Sequence, residues 1–171
     1  MNNMLKNITN VSLGGSLRLW AVIAIWTVFG ISAQAQAPYC SVSGLAFAED
    51  ITLVNVADIN NSSSPNDEQL YQNFTQIIGH VTAGQSYPTK CKGDSEGPYT
   101  NYFTMFVDWN NDGDFNDAQE AQQIGSIYNS TGVDAVEATG SLVVPVTATI
   151  GVNLRMRVIK SYNTPAVNGC T

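Results

Sequence analysis

The sequence predicts an all-β protein, an antiparallel β-sandwich with Greek-key or jelly-roll-like connections. Three observations carry that prediction. Apolar residues alternate with polar ones at a period of two in successive runs, and no segment sustains the 3.6-residue period of an amphipathic helix. The runs are short and are separated by clusters of Gly, Pro, Asn, Asp and Ser, the residues that build turns. About seven such runs follow one another in a stretch of single-domain length, the pattern of two packed sheets.

The chain opens with something other than a strand. Lys6 and Arg18 sit in a polar leader, followed by the apolar run 19–31 (LWAVIAIWTVFGI) and the small-x-small pattern Ala33-Gln34-Ala35. The apolar run is shorter than the roughly 20 residues a membrane-spanning helix needs. Residues 1–35 therefore read as a signal peptide, cleaved after Ala35, because a cut after Ala37 would place Pro38 next to the scissile bond. The protein is expected to be secreted or displayed at the cell surface. Residues 36–171 are enough for one domain with a sizeable core and too few for two.

Charge narrows the partners. The chain has 7 basic and 14 acidic residues, net −7, and the leader holds two of the basic and none of the acidic ones. The exported part, with 5 basic against 14 acidic residues, stands at −9. Nucleic acid and anionic membranes call for basic patches, so neither is an expected partner. A soluble, cation-binding exported domain fits.

Taken in order, the first strand is 51–59 (ITLVNVADI), closed by the loop-like run 60–67. The next is 70–78 (LYQNFTQII), which stops at Gly79. A short strand spans 86–92, and a Gly/Pro/acidic loop spans 92–101. The central strand starts at Asn101, with Phe103, Met105, Val107 and Trp109 on one face and Tyr102, Thr104 and Phe106 on the other. Residues 122–128 form a short strand. The run 140–144 meets Pro145, which suits a strand end or a sheet edge. The last strand is 152–162, with Leu154, Met156 and Val158 turned inward and Arg155 and Arg157 outward.

Between the central strand and the next, oxygen-bearing residues recur at every second position: Asp108, Asn110, Asp112 and Asp114, with Gly113 after the third. This D-x-[DN]-x-D-G spacing is that of a calcium loop, in which alternate side chains converge on a hard cation that takes six to eight oxygens. Glu120 is the natural distal ligand. It stands at position 13 counted from Asp108, where a helix-loop-helix site would use position 12, occupied here by Gln119. The reading is a Ca2+ loop fed by a strand. Side-chain ligation is expected from Asp108, Asn110, Asp112 and Glu120, and Asp114 through its carbonyl or carboxylate, with Asp117 outside the coordination shell. The alternative is an acidic Asn/Asp/Gly surface turn, but five spaced oxygen residues and the glycine exceed what a turn requires.

Three cysteines in an oxidising compartment leave one over. Cys40 and Cys170 bracket the domain and are expected to pair, tying the first strand to the last and leaving Cys91 free. Catalysis is not expected. His80 is the only imidazole, there is no G-x-S-x-G, and a bound cation would hold the loop carboxylates ionised and unfit to donate protons. Two non-catalytic roles remain open. One is glycan recognition on loop-proximal aromatics, with Tyr87, Tyr99 and Tyr128 as candidates. The other is a calcium-stiffened spacer that holds neighbouring domains.

Several strings resemble one family. Tyr39-Cys40, the run Val107-Asp108-Trp109-Asn110-Asn111-Asp112-Gly113-Asp114-Phe115, and Val144-Pro145 followed by Gly151 and Leu154-Arg155-Met156-Arg157-Val158 are similar to the GEVED domain family. The likeness spans nearly all of residues 39–170. It implies a β-sandwich module of large exported bacterial proteins, found beside peptidase or adhesive domains. The Gly-Glu-Val-Glu-Asp string that names the family would follow Cys170, whereas this sequence stops at Thr171, so the domain is expected to be incomplete at its C-terminus, lacking the last strand with its acidic residues and leaving an open sheet edge. The expected function is a non-catalytic, calcium-stabilised accessory module for adhesion or domain presentation. A carbohydrate-binding module attached to an exported hydrolase or peptidase is the alternative. The expected partners are neighbouring domains of a larger exported protein, and a glycan or surface protein.

Overall fold

The computed structural model describes residues 39–42, 49–65 and 71–170; the signal peptide and its cleavage site lie outside them. The described residues form seven strands and no helix. They are β1 (Ile51–Val56), β2 (Ile59–Ser62), β3 (Ser86–Gly93), β4 (Thr100–Val107), β5 (Ala121–Tyr128), β6 (Ala138–Val143) and β7 (Met156–Tyr162). One sheet has the order β2-β1-β3-β6 and the other β5-β4-β7, and every pairing is antiparallel. The chain crosses between the sheets from β3 to β4, from β5 to β6 and from β6 to β7. The fold is the expected β-sandwich.

β4 is the middle strand of its sheet and is buried on both faces. Phe103, Met105, Val107 and, just beyond the strand, Trp109 point between the sheets onto Val56, Cys91, Ile124, Ile127, Leu142 and Val144. Phe106 points the other way, into a smaller cluster with Phe115 and Ile159 that Tyr39 and Ala166 cover. The alternation in the sequence thus assigned each side chain to its face, but both faces are core. Fully burying one Phe stabilises by roughly 1.5–3 kcal/mol, so this strand anchors both clusters.

The two sheets come closest where β5 meets β6, and glycine makes that approach possible. A Cβ built on Gly140 would stand 2.2 Å from the Ile124 carbonyl oxygen, and one on Gly125 would stand 3.1 Å from that of Thr139. Both obstacles are backbone and cannot rotate away. Gly140→Ala is therefore expected to force the strands apart and to lose about 3 kcal/mol, the upper end of overpacking costs. A urea titration of the variant measures it, and a loss below ~0.5 kcal/mol would show that the corner yields freely.

Three expectations about elements are corrected. The first strand, expected to run to Ile59, ends at Val56, and β2 takes up Ile59 together with residues 60–62, expected as loop. Ala57 takes φ 52° to turn the chain, and Asn55 Nδ2 donates to Asn60 Oδ1 (3.0 Å) across the hairpin. Composition suggested a loop, yet these polar residues suit an edge strand. Second, residues 71–78 form no strand; the Thr75 amide donates to Asn73 Oδ1 (3.0 Å) and the Ile77 amide to the Phe74 carbonyl (2.8 Å), turning the chain locally. Third, β7 begins only at Met156, because residues 151–155 are occupied in a bend and in the close pairing of the Arg155 carbonyl with the Asp108 amide (3.1 Å).

Cys40 and Cys170 are joined, with Cα atoms 5.5 Å apart, and Cys91 is free and buried. Burial pushes the Cys91 thiol up to about 12. At pH 8 the folded protein should alkylate roughly a thousandfold more slowly than an exposed thiol, with full reactivity on unfolding. Timed mass spectrometry with iodoacetamide checks this, and rapid modification of native protein would contradict the burial.

Candidate metal loop

The loop from Asp108 to Glu120 leaves β4 and returns as β5, and its neck is closed by the Val107 amide donating to the Glu120 carbonyl (2.9 Å). Two of the five expected ligands lie at the base. Asp108 is 0% exposed; its Oδ1 accepts from the Asp112 amide (3.1 Å), and its Oδ2 accepts from the Gly113 amide (3.0 Å) and the Tyr39 hydroxyl (2.5 Å). Glu120 is 1% exposed; Oε1 accepts from the Trp109 amide (3.0 Å) and Oε2 from the Asp117 amide (3.1 Å). Asp108 thus holds the turn at Asp112–Gly113, and Glu120 ties the start of the loop at Trp109 to its end at Asp117. Gly113 has φ 100°, a conformation side chains resist, and this is where the chain doubles back over Asp108.

The other expected ligands lie above, at the surface. Asp112 and Asp114 come together with Asp117, one carboxylate oxygen of each lying within 4.8 Å of the others. Asn110 lies alongside: its Nδ2 donates to Asp112 Oδ2 (2.9 Å) and Asp117 Oδ2 (2.6 Å), and its Oδ1 accepts from the Asp112 amide (3.2 Å). The Asp114 amide donates to Asp112 Oδ1 (3.2 Å), and Asp114 Oδ1 accepts from the Asn116 amide (2.8 Å). The structure therefore gathers Asp112, Asp114, Asp117 and Asn110 in an upper layer and sets Asp108 and Glu120 beneath. Asp117, expected outside the coordination shell, stands in that upper layer.

Electrostatics follow the burial. Desolvation raises the Glu120 carboxyl above its ordinary range, the Asp117 and Trp109 amides pull it back, and the charges of Asp108 and Asp117 push it up again. The Tyr39 phenol is raised by its own burial and then by its bond to Asp108. Like charges about 4 Å apart repel by roughly 1–4 kcal/mol per pair, depending on how wet the site is. A divalent cation would reverse that sign, and the donor set, carboxylates and an amide oxygen, is of the hard type that calcium takes.

Sequence reasoning missed Tyr39. Its ring stacks on Phe115 at 5.1 Å between centroids, and the Arg155 guanidinium lies over the ring, 5.0 Å from its centroid. Arg157 packs over Phe115 and donates to the carbonyls of Cys40 (2.9 Å) and Gly169. The outward-facing arginines are thus covered by the two ends of the domain, which the disulfide joins. The available signal was that Tyr39 precedes a cysteine expected to bridge.

The remaining candidates are placed plainly. His80 is exposed, with its amide donating to Asp58 Oδ1 (2.7 Å) and its Nδ1 2.7 Å from Asp58 Oδ2. That bond holds the Asp58 carboxyl below its usual range. The Tyr87 hydroxyl accepts from the Thr82 amide (2.8 Å), and the ring packs on the main core. Tyr99 and Tyr128 are exposed, and Tyr99 meets the exposed Tyr162 edge to face at 5.7 Å.

This architecture defines a class, a β-sandwich module with an aspartate-rich loop carried by its central strand. Residues 102–171 match the family model of the GEVED domain, the family that the sequence resembles. It is a family of accessory β-sandwich domains. No curated protein and no solved structure matches the chain.

Proposed function

We propose that this protein is a non-catalytic, calcium-stabilised accessory module of a secreted or cell-surface protein, serving adhesion or the presentation of neighbouring domains. The observation that supports calcium most is the two-layered loop. Asp112, Asp114 and Asp117 bring carboxylate oxygens together at the surface, Asn110 lies alongside with its Nδ2 on Asp112 and Asp117, and the Asp108 and Glu120 carboxylates lie buried beneath, holding loop amides. Export rests on the leader in residues 1–35. A non-catalytic role is supported by His80, exposed and engaged with Asp58, and by the burial of Cys91.

The test is thermal melting with calcium, magnesium or chelator, on wild type and Asp112→Ala. At calcium one hundred times the Kd, mass action contributes roughly 2.7 kcal/mol, several degrees of Tm for a domain of this size. Magnesium should substitute poorly, because it demands tight octahedral geometry and gives up water reluctantly. If chelator leaves the wild-type Tm unchanged, or Asp112→Ala keeps the full calcium response, the loop is only an acidic turn. Calcium-dependent hydrolysis of peptides or glycosides, lost in a folded Asp108→Ala, would overturn the non-catalytic reading.

Carbohydrate binding is the second reading, favoured by one observation. Tyr99, Tyr128 and Tyr162 are all exposed, and Thr100 pairs with Tyr128 while Asn101 pairs with Tyr162, which brings the three to one end of the second sheet. Exposed aromatic faces stack on sugar rings. A glycan array with wild type and Tyr128→Ala tests it, and binding unaffected by the substitution counts against this surface.

A further inference from the structure

We propose that residues 71–78 are a strap that closes as an eighth strand onto the outer edge of β7, which no other described residue pairs, completing the three-stranded sheet. The sandwich is uneven. Four strands stand against three, and with β5 set against β6 the unmatched strand is β2, at the far edge of its sheet. Among the described residues β7 pairs with β4 alone. Between β2 and β7 the sheets therefore part into a groove of about 710 Å³. Ile59 and Val54 line it from one sheet, and Met156 and Val158, with Leu154 just ahead of β7, from the other. These are core-facing side chains that the missing strand leaves half-buried.

The same groove is walled by Tyr71, Phe74, Ile77 and Ile78. Their sequence is that of a strand: residues 71–78 hold five β-favouring side chains in eight, Tyr71, Phe74, Thr75, Ile77 and Ile78, with no Gly or Pro. Yet the segment is irregular, and those four apolar side chains are 36–56% exposed. It is also moored where an eighth strand would need it. His80 is held by Asp58 at the β1–β2 turn, and a Cβ on Gly79 would stand 2.6 Å from Ile59 of β2. Eight extended residues span roughly 26 Å, enough to run the length of the seven-residue β7. Extended, the segment would put Phe74 and Ile78 on one face, able to fill the groove, and its backbone would satisfy the outer edge of β7. An open edge beside an apolar groove favours a strand as occupant, and the tethered one is present at the highest effective concentration.

Hydrogen–deuterium exchange on the full chain decides it, read at residues 71–78 and 156–162. Closure predicts that the amides of residues 71–78, and those β7 amides that point away from β4, exchange at least tenfold more slowly than in an unstructured peptide of the same sequence. Phe74→Asp with Ile78→Asp should remove the protection of 71–78 and of the outer-edge amides of β7 together, while β3 and β4 stay protected, showing that the variant still folds. Residues 71–78 exchanging at the free-peptide rate in wild type would overturn the proposal. So would outer-edge β7 protection that survives the double substitution, or that rises with protein concentration, which would mean that a second copy supplies the strand.

Discussion

Replacing Cys40 and Cys170 by serine is expected to lower stability by roughly 5 kcal/mol, the largest effect of any change considered. The bridge spans a sequence separation of 130 residues, and in the chain-entropy model closing a loop of that length removes about that much from the unfolded ensemble. The native state gives reasons for the value to be realised. Arg157 donates to the carbonyls of Cys40 and Gly169, and Tyr39 contacts both Phe115 and Arg155 while donating to Asp108. Without the bridge, the Tyr39 bond to the base of the acidic loop is held by packing alone. On the proposed calcium reading of that loop, the loss should carry a second signature, weaker calcium affinity in the variant. Guanidinium titrations of wild type and the double serine variant measure the first effect, and calorimetry with calcium the second. A stability loss under ~1 kcal/mol would show that the unfolded chain was already constrained, or that the ends contribute little to the fold.

Lys160→Ala is expected to cost about 3–5 kcal/mol, the penalty for removing one partner of a buried ion pair. Lys160 stands on β7 opposite Phe103 and shares the inward-facing side of the strand with Met156 and Val158. Its side chain is 2% exposed; Nζ donates to Glu49 Oε2 (2.8 Å) and to the Asp94 carbonyl, and the Glu49 side chain is 14% exposed. Truncation leaves a nearly buried carboxylate and a carbonyl without their cation. Lys160→Met combined with Glu49→Gln should cost far less, since apolar packing often replaces a buried pair at little loss. Burial lowers the Lys160 ammonium below its usual range, with Glu49 acting against the shift. In the alkaline window between that lowered value and the unfolded lysine value, the unfolded chain binds the extra proton, so stability from this group rises with pH. The double variant should lose that rise. Urea midpoints of the three proteins from pH 8 to 11 measure both effects, and equal midpoints for Lys160→Ala and wild type would show the pair to be solvated.

Period-two alternation placed the side chains of β4 and β7 on the correct faces, because a pleated strand allows only two orientations and both patterns were unbroken. It misplaced residues 71–78, whose side chains suit a strand but whose partner edge lies across a groove; pairing is a tertiary property that no local pattern encodes. Likewise β2 looked like loop because Asn and Ser are turn formers, and only the Ala57–Asp58 turn and the β1 ladder make it a strand. In the acidic loop, alternate spacing identified the oxygen residues. It could not tell which would lie below and which above, because that depends on which backbone amides turn inward toward Asp108 and Glu120. Tyr39 was beyond reach for a related reason. Its contact with Asp108 spans 69 residues of sequence, beyond the reach of any local pattern.

The closeness of the domain's two ends has a mechanical meaning. With the Cα atoms of Cys40 and Cys170 5.5 Å apart and covalently linked, tension applied at the two points runs through the sulfur–sulfur bond and bypasses both sheets. The β-ladders and the acidic loop carry none of that load, so the module cannot lengthen under pulling while the bond is intact. Reduction would make the same domain extensible along its whole contour, up to roughly 3.3–3.6 Å per residue.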